Sequence, residues 1–126
     1  MSINRVNITG NLTRDCEVRT TAGGSNVVNF SVAVNERRKG RDGQYEDYAN
    51  YVDCFMYMTD GQLAWQQRRL HKGAKVAVDG SLRWSSWEAK DGGRRSKLEV
   101  LARDIEFMNG DKAEAAPAPA DDDLPF

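Results

Sequence analysis

A two-residue alternation of apolar and polar side chains recurs along this chain, and it restricts the fold more than any other feature. Between Asn4 and Leu12 the apolar residues Val6, Ile8 and Leu12 fall on even positions. Val28, Phe30, Val32 and Val34 alternate with Asn29, Ser31, Ala33 and Asn35. Val76, Val78 and Leu82 alternate with Lys75, Ala77, Asp79, Ser81 and Arg83, and Leu98, Val100 and Ala102 with Lys97, Glu99 and, imperfectly, Leu101. Successive side chains of a strand point to opposite faces, so this period predicts strands that each lay one face on a core. Ala22-Gly23-Gly24-Ser25, Lys39-Gly40-Arg41-Asp42-Gly43 and Asp91-Gly92-Gly93 are turn signals between them.

One helix is predicted over about residues 61–71, where Leu63, Gln67 and Leu70 share a face and Gly73 is the C-cap candidate. Trp65 lies off that face and is expected to pack at the helix edge. Three strands precede the helix and two or three follow. That order matches an all-β fold, a five-stranded OB-fold barrel with one helix between strands 3 and 4. An α+β sandwich gives a similar pattern.

The 126 residues suffice for one domain with its own core, without disulfides or metal. From about Asn109 the composition changes, so the expected division is a domain over 1–108, a flexible Ala/Pro linker over 109–120 and an acidic tip over 121–126, the last two forming a disordered tail. Residues 1–110 hold 17 Lys+Arg against 14 Asp+Glu, whereas residues 111–126 hold one Lys against five acids. A mildly basic body with an acidic appendage suits a polyanion binder. Cys16 and Cys54 stand outside any C-x-x-C pattern and read as reduced thiols, and with His71 the only histidine no structural zinc or other cofactor is expected. No stretch is apolar enough to span a membrane and no secretion signal opens the chain. The expected location is cytoplasmic, with the nucleoid.

The third strand singles out a candidate site. In residues 50–58 the even positions Val52, Cys54, Met56 and Met58 are apolar, and the odd positions are Tyr51, Asp53, Phe55 and Tyr57. Rings on an outer face leave apolar area in water. Base stacking accounts for them, because every base has a π-face. The alternative is that the rings pack under a loop or in a subunit interface, Phe55 first among them. Basic groups surround the row: Arg37, Arg38, Lys39 and Arg41 precede it, Arg83 is followed by Trp84 and Trp87, and Arg94, Arg95 and Lys97 follow the Asp91 turn. Tyr51, Phe55, Tyr57, Trp84 and Trp87 are the expected stacking residues. Arg5, Arg37, Arg38, Lys39, Arg41, Lys72, Arg83, Arg94, Arg95 and Lys97 are the expected phosphate contacts. Asp53, the one acid in the row, is expected to pair with a neighbouring Arg. In the tip, Asp121, Asp122 and Asp123 steer toward basic surfaces, while Leu124, Pro125 and the terminal Phe126 offer a ring and a carboxylate to a partner's pocket. The same acids can compete with DNA for the basic groove. Deleting residues 121–126 is then expected to tighten DNA binding at low salt, as a titration of both forms would show.

These residues carry a likeness. The run from Asn4 to Asp15, with its Gly10-Asn11-Leu12 and following Asp, resembles the first strand and turn of the bacterial single-stranded DNA-binding protein family. Residues 17–19 and 27–33 resemble its second strand. Gly61-Gln62-Leu63-Ala64, the Leu70 to Gly73 stretch and the V-x-V-x-G-x-L-R pattern over residues 76–83 resemble its helix and fourth strand, and the DDDLPF tip resembles its acidic end. The resemblance implies an OB-fold, a homotetramer, sequence-independent strand binding, and recruitment of replication, recombination and repair proteins by the tip. It implies stacking by Tyr51, Tyr57 and Trp87. Family members often carry Trp at Tyr51, Phe at Tyr57, Trp near Arg38 and Pro at Cys16, and their linkers are often longer. The readings from other classes are a small OB-fold nuclease using Asp53 and Asp79, a module whose tail alone acts, and an RNA-binding OB domain. The expectation is a binding protein, not an enzyme.

Overall fold

The computed structural model describes residues 1–108; the linker and the tip lie outside the described residues. Six strand segments form: β1 Val6–Leu12, β2 Glu17–Thr20, β3 Asn26–Lys39, β4 Tyr45–Met58, β5 Lys75–Glu88 and β6 Arg94–Phe107, with helix α1, Asp60–Gln66, between β4 and β5. The sheet runs β1-β5-β6-β4-β3-β2 and closes through an added β1–β3 pairing at Asn11↔Ala33 and Leu12↔Val32. The closed ring β1-β5-β6-β4-β3 is the five-stranded OB barrel.

The first predicted strand is two segments. Between β1 and β2 the chain turns across the end of the barrel, held by Thr13 N donating to Ser31 O at 3.0 Å and Cys16 N to Leu70 O at 2.9 Å. Asp15 Oδ1 accepts from Lys72 N at 2.8 Å, which fixes that turn to the segment entering β5. Counting β1 and β2 as one interrupted strand, the helix follows the third strand, as expected.

The predicted helix is shorter than residues 61–71. It ends at Gln66, a 3-10 turn covers Gln67–Arg69, and Leu70 leaves helical geometry to bury itself in the core, 1% exposed. Gly73 caps no helix: it takes φ +92° in a turn closed by Ala74 N donating to His71 O at 3.0 Å. The helix start is a capping box, with Gln62 N donating to Thr59 Oγ1 at 3.1 Å and Thr59 N to Gln62 Oε1 at 2.9 Å. So short a helix depends on its cap. Thr59→Ala is expected to lower stability by about 1 kcal/mol, read as a shift in the urea midpoint. Trp65 stays 54% exposed at the helix edge, with the Arg69 guanidinium 5.0 Å from its ring.

Three loops repeat one chemistry. Residues 21–25, 40–44 and 89–93 each close with an N–H···O bond between their ends, 2.7–2.8 Å, and each places its fourth residue, Gly24, Gly43 or Gly92, at φ between +83° and +89°. A three-residue hairpin loop demands such a left-handed residue, and glycine meets the demand without Cβ strain.

The core gathers Leu12, Val28, Phe30, Val32, Cys54, Met58, Leu70, Val76, Val78, Val100, Ala102 and Ile105. Leu82 and Leu98, expected on the core face, are 45% and 58% exposed. They keep the inward parity, but the strands have run past the barrel by then. A bulge on β6 absorbs the barrel's bend: Asp79 pairs with Asp104 and Gly80 with Ala102, leaving Arg103 extra. Burial, and then the Asp53 and Glu99 charges, push the Cys54 thiol up to about 12. The unfolded thiol ionises near 9.0, so the neutral folded form contributes stability below that pH, lost as pH rises from 9 toward 12. Native Cys54 is expected to resist iodoacetamide at pH 8 and to react once urea unfolds the chain. Cys16 is half-buried; burial and Asp15 raise its pKa against its own backbone hydrogen bond, so it is expected to react at an intermediate rate.

Candidate nucleic-acid interface

β4 and β6 run parallel and pair only at Cys54↔Val100 and Phe55↔Leu101. The loops of both hairpins therefore lie at the same end of the barrel. Past that contact the hairpins continue as two arms, one paired as far as Lys39↔Tyr45 and the other as far as Glu88↔Arg94. Even-numbered residues of each arm continue the face that lines the core, and odd-numbered residues continue the outer face.

The outer face holds the aromatic row. Tyr51 is 72% exposed, Tyr57 52% and Trp87 46%, and Tyr45, at the end of the same face, 61%. Phe55 is 8% exposed and meets Tyr57 edge-on, with centroids 5.8 Å apart and planes at 83°; it is packed in, and it supports the neighbouring ring. By register the same face carries Arg37, Lys39, Arg83, Arg95 and Lys97, with Asp47, Asp53 and Glu99. Cations outnumber carboxylates five to three.

The opposite face of the arms carries Leu82, Trp84, Leu98 and Tyr48, with Arg38 and Arg94 against Glu36, Glu46 and Glu88. There carboxylates outnumber cations three to two. Trp84 and Trp87 are three residues apart, an odd step on a strand, so one arm separates them onto its two faces. The sequence grouped them because proximity in the chain hides parity.

The basic groups divide in the same way. The Arg38 guanidinium lies 4.0 Å from the centroid of the Tyr48 ring, and Arg37 lies 5.9 Å from that of Tyr45. Both tyrosines escaped the sequence reading; the hairpin register, carried back to Tyr45, is the signal that finds them. Arg95 Nη2 meets Asp91 Oδ2 at 2.9 Å, and Arg94 Nη2 donates to Ser86 Oγ at 3.4 Å. Arg41 sits in the loop that closes the first arm. Arg5 follows Asn4, whose amide grips Leu82 by two hydrogen bonds, Nδ2 to Leu82 O at 3.0 Å and Leu82 N to Oδ1 at 2.8 Å. Lys72 stands apart, in the turn at the opposite end of β5 from the arms, about 40 Å along a 14-residue strand.

Asp53 pairs with a lysine, not an arginine. Lys97 Nζ lies 3.4 Å from Asp53 Oδ2 and 3.4 Å from Glu99 Oε2. Burial lowers the Lys97 pKa, but the facing Glu99 and Asp53 carboxylates more than offset this and hold it above the ordinary lysine value. Asp79 is on a different strand, β5, opposite Asn7 of β1 in the register. Among the described residues no three His, Cys, Asp or Glu side chains converge as metal ligands, and no helix is long and apolar enough to cross a membrane.

Residues 3–108 match the single-strand binding protein family. The chain belongs to that family. Its relatives include the "Single-stranded DNA-binding protein" of Treponema pallidum, 40% identical over 84% of this chain and 58% of the relative, and the "Single-stranded DNA-binding protein 2" of Chlorobaculum tepidum, 40% identical over 85% and 72%. The chain thus spans little more than half the length of the first. Among solved structures, the Plasmodium falciparum SSB in complex with ssDNA has the same fold at TM-score 0.75, with 22% identity over 86% of this chain and 97% of the other. A deletion mutant of the Thermus aquaticus single-stranded DNA binding protein superposes at TM-score 0.72, with 26% identity over 87% and 52%. For a member of this family, the contrast between the two faces of the arms gives the common fold a direction.

Proposed function

We propose that this protein binds single-stranded DNA without sequence preference along the outer face of its arms, with bases stacked on Tyr51, Tyr57 and Trp87. The observation that carries this reading is the coincidence, on one face, of four exposed rings, Tyr45, Tyr51, Tyr57 and Trp87, with an excess of cations, where the other face has two, Tyr48 and Trp84, with an excess of carboxylates. Rings give each base about 1–3 kcal/mol whatever its identity, and cations release counterions from the phosphates. Family relatives named for single-stranded DNA binding support the choice of ligand.

The test is a titration of a labelled dT oligonucleotide, followed by anisotropy at about 50 and 200 mM salt, with duplex and matched RNA as competitors. Tight binding that weakens with salt and yields little to duplex supports the reading. Binding that RNA displaces more readily than DNA moves it to an RNA partner. No binding at low salt overturns it.

The larger role follows the family: coating exposed strands in replication, recombination and repair as a homotetramer, with residues 121–126 docking partner proteins. Support for the tip is its composition, three acids before an apolar, carboxylate-bearing end. Pull-down of replication or repair enzymes by the full chain and not by the chain lacking those six residues is the expected result.

A further inference from the structure

The carboxylates at the centre of the outer face work against the function proposed for it. Asp53 stands in the β4 row between Tyr51 and Phe55, and the β4–β6 contact brings it to the same ammonium as Glu99. Two carboxylates on Lys97 leave this cluster with a net negative charge, in the middle of a surface that must approach phosphates. Glu99 is also the register partner of Arg83 across the β5–β6 ladder.

A purely structural reason for the cluster is weak. The Lys97–Asp53 pair has side chains 44% and 46% exposed, and an ion pair so open to water contributes little to stability; Glu99 is the more sheltered partner, at 18%. The shape of the arms does not depend on it either, because the β5–β6 ladder is continuous through Lys97↔Ser85 and Glu99↔Arg83.

We propose that Asp53 and Glu99 are internal competitors of the DNA phosphates. They hold Lys97 in ion pairs that a phosphate must displace, and so they set the affinity of the outer face below what its rings and cations could reach. The consequence is a strand that is held but readily exchanged. This rests on the single-strand reading above and deepens it by assigning positioning roles to two acids.

The test compares three variants with the parent protein by anisotropy of a labelled dT oligonucleotide across salt concentrations. Asp53→Asn with Glu99→Gln is expected to bind roughly tenfold tighter at low salt. Its log–log salt dependence should steepen by about 0.7 for each phosphate newly engaged. Lys97→Met alone leaves both carboxylates unpaired and is expected to bind roughly tenfold more weakly. Adding Lys97→Met to the double variant should return binding toward the parent level, with a salt slope no steeper than the parent's.

A role confined to holding the arms would not steepen the salt slope. If the Asp53→Asn, Glu99→Gln protein keeps the parent's unfolding midpoint but binds no tighter, with the parent's slope, the proposal is wrong. If the parent itself fails to bind single strands, the single-strand reading has failed first, and the two failures are thereby distinguished.

Discussion

Replacing Tyr51 and Trp87 together by alanine is expected to weaken binding of a dT oligonucleotide by about 2–6 kcal/mol, at 1–3 per stacked base. The rings stand on different arms, one on β4 and the other on β5, so they serve different bases and their losses should nearly add. Both are exposed, 72% and 46%, and neither belongs to the core cluster. Stability should therefore change little, and the unfolding midpoint is the control. Tyr51→Phe with Trp87→Phe keeps two rings and should keep most of the affinity. The salt slope should stay near the parent's in every one of these variants, because no cation is removed.

Gly10→Val is expected to destabilise the fold by at least the 1–3 kcal/mol typical of overpacking. Gly10 is buried and paired with Val76 of β5, one residue before Asn11, where β1 pairs with β3 as well. A Cβ built there lands on the Ala33 carbonyl oxygen and within 2.7 Å of Val32 Cγ1. Backbone on a neighbouring strand cannot swing away as a side chain would, so the barrel must open at its seam. Gly80 has the same constraint against the Leu101 carbonyl, opposite the β6 bulge. Gly61 gives the contrast: it is helical, with nothing within 4 Å of its missing Cβ, so Gly61→Ala should raise stability by roughly 0.5–1 kcal/mol. Urea unfolding of the two variants beside the parent measures both effects. A Gly10→Val protein with the parent's midpoint would mean that β1 and β3 do not meet this closely.

Much of this fold was legible because strand periodicity and turn chemistry are local. Val28, Phe30 and Val32 announced the inner face of β3, and Asp91-Gly92-Gly93 announced the loop between β5 and β6. What stayed hidden depends on pairing across the sheet. The split of the first strand follows from hydrogen bonds between residues 13–16 and distant partners, Ser31 and Leu70. The length of the arms was hidden because Tyr45, Glu46, Asp47 and Tyr48 show no alternation: once past the barrel both faces of a hairpin meet water. For the same reason Leu82 and Leu98 read as core.

The candidate site divides along the same line. Tyr51 and Tyr57 were found by parity within one strand. Asp53 was recognised as anomalous, but its partner Lys97 lies on β6 and is reached only through the parallel β4–β6 contact. Tyr45 and Tyr48, each beneath an arginine, needed the β3–β4 register. Lys72 was included on charge alone, and the strand length carries it to the far end of the barrel.

Placement of the DNA strand on the outer face of the arms can be tested with the two tryptophans of the β5–β6 arm. Trp65→Phe with Trp84→Phe leaves Trp87 as the only tryptophan, and Trp65→Phe with Trp87→Phe leaves Trp84. Each protein is saturated with dT oligonucleotide and its emission is followed. Strong quenching of Trp87, stacked on a base, is expected, with little change at Trp84 on the other face. Strong quenching of Trp84 with Trp87 unchanged, while anisotropy shows the oligonucleotide bound, would contradict that placement.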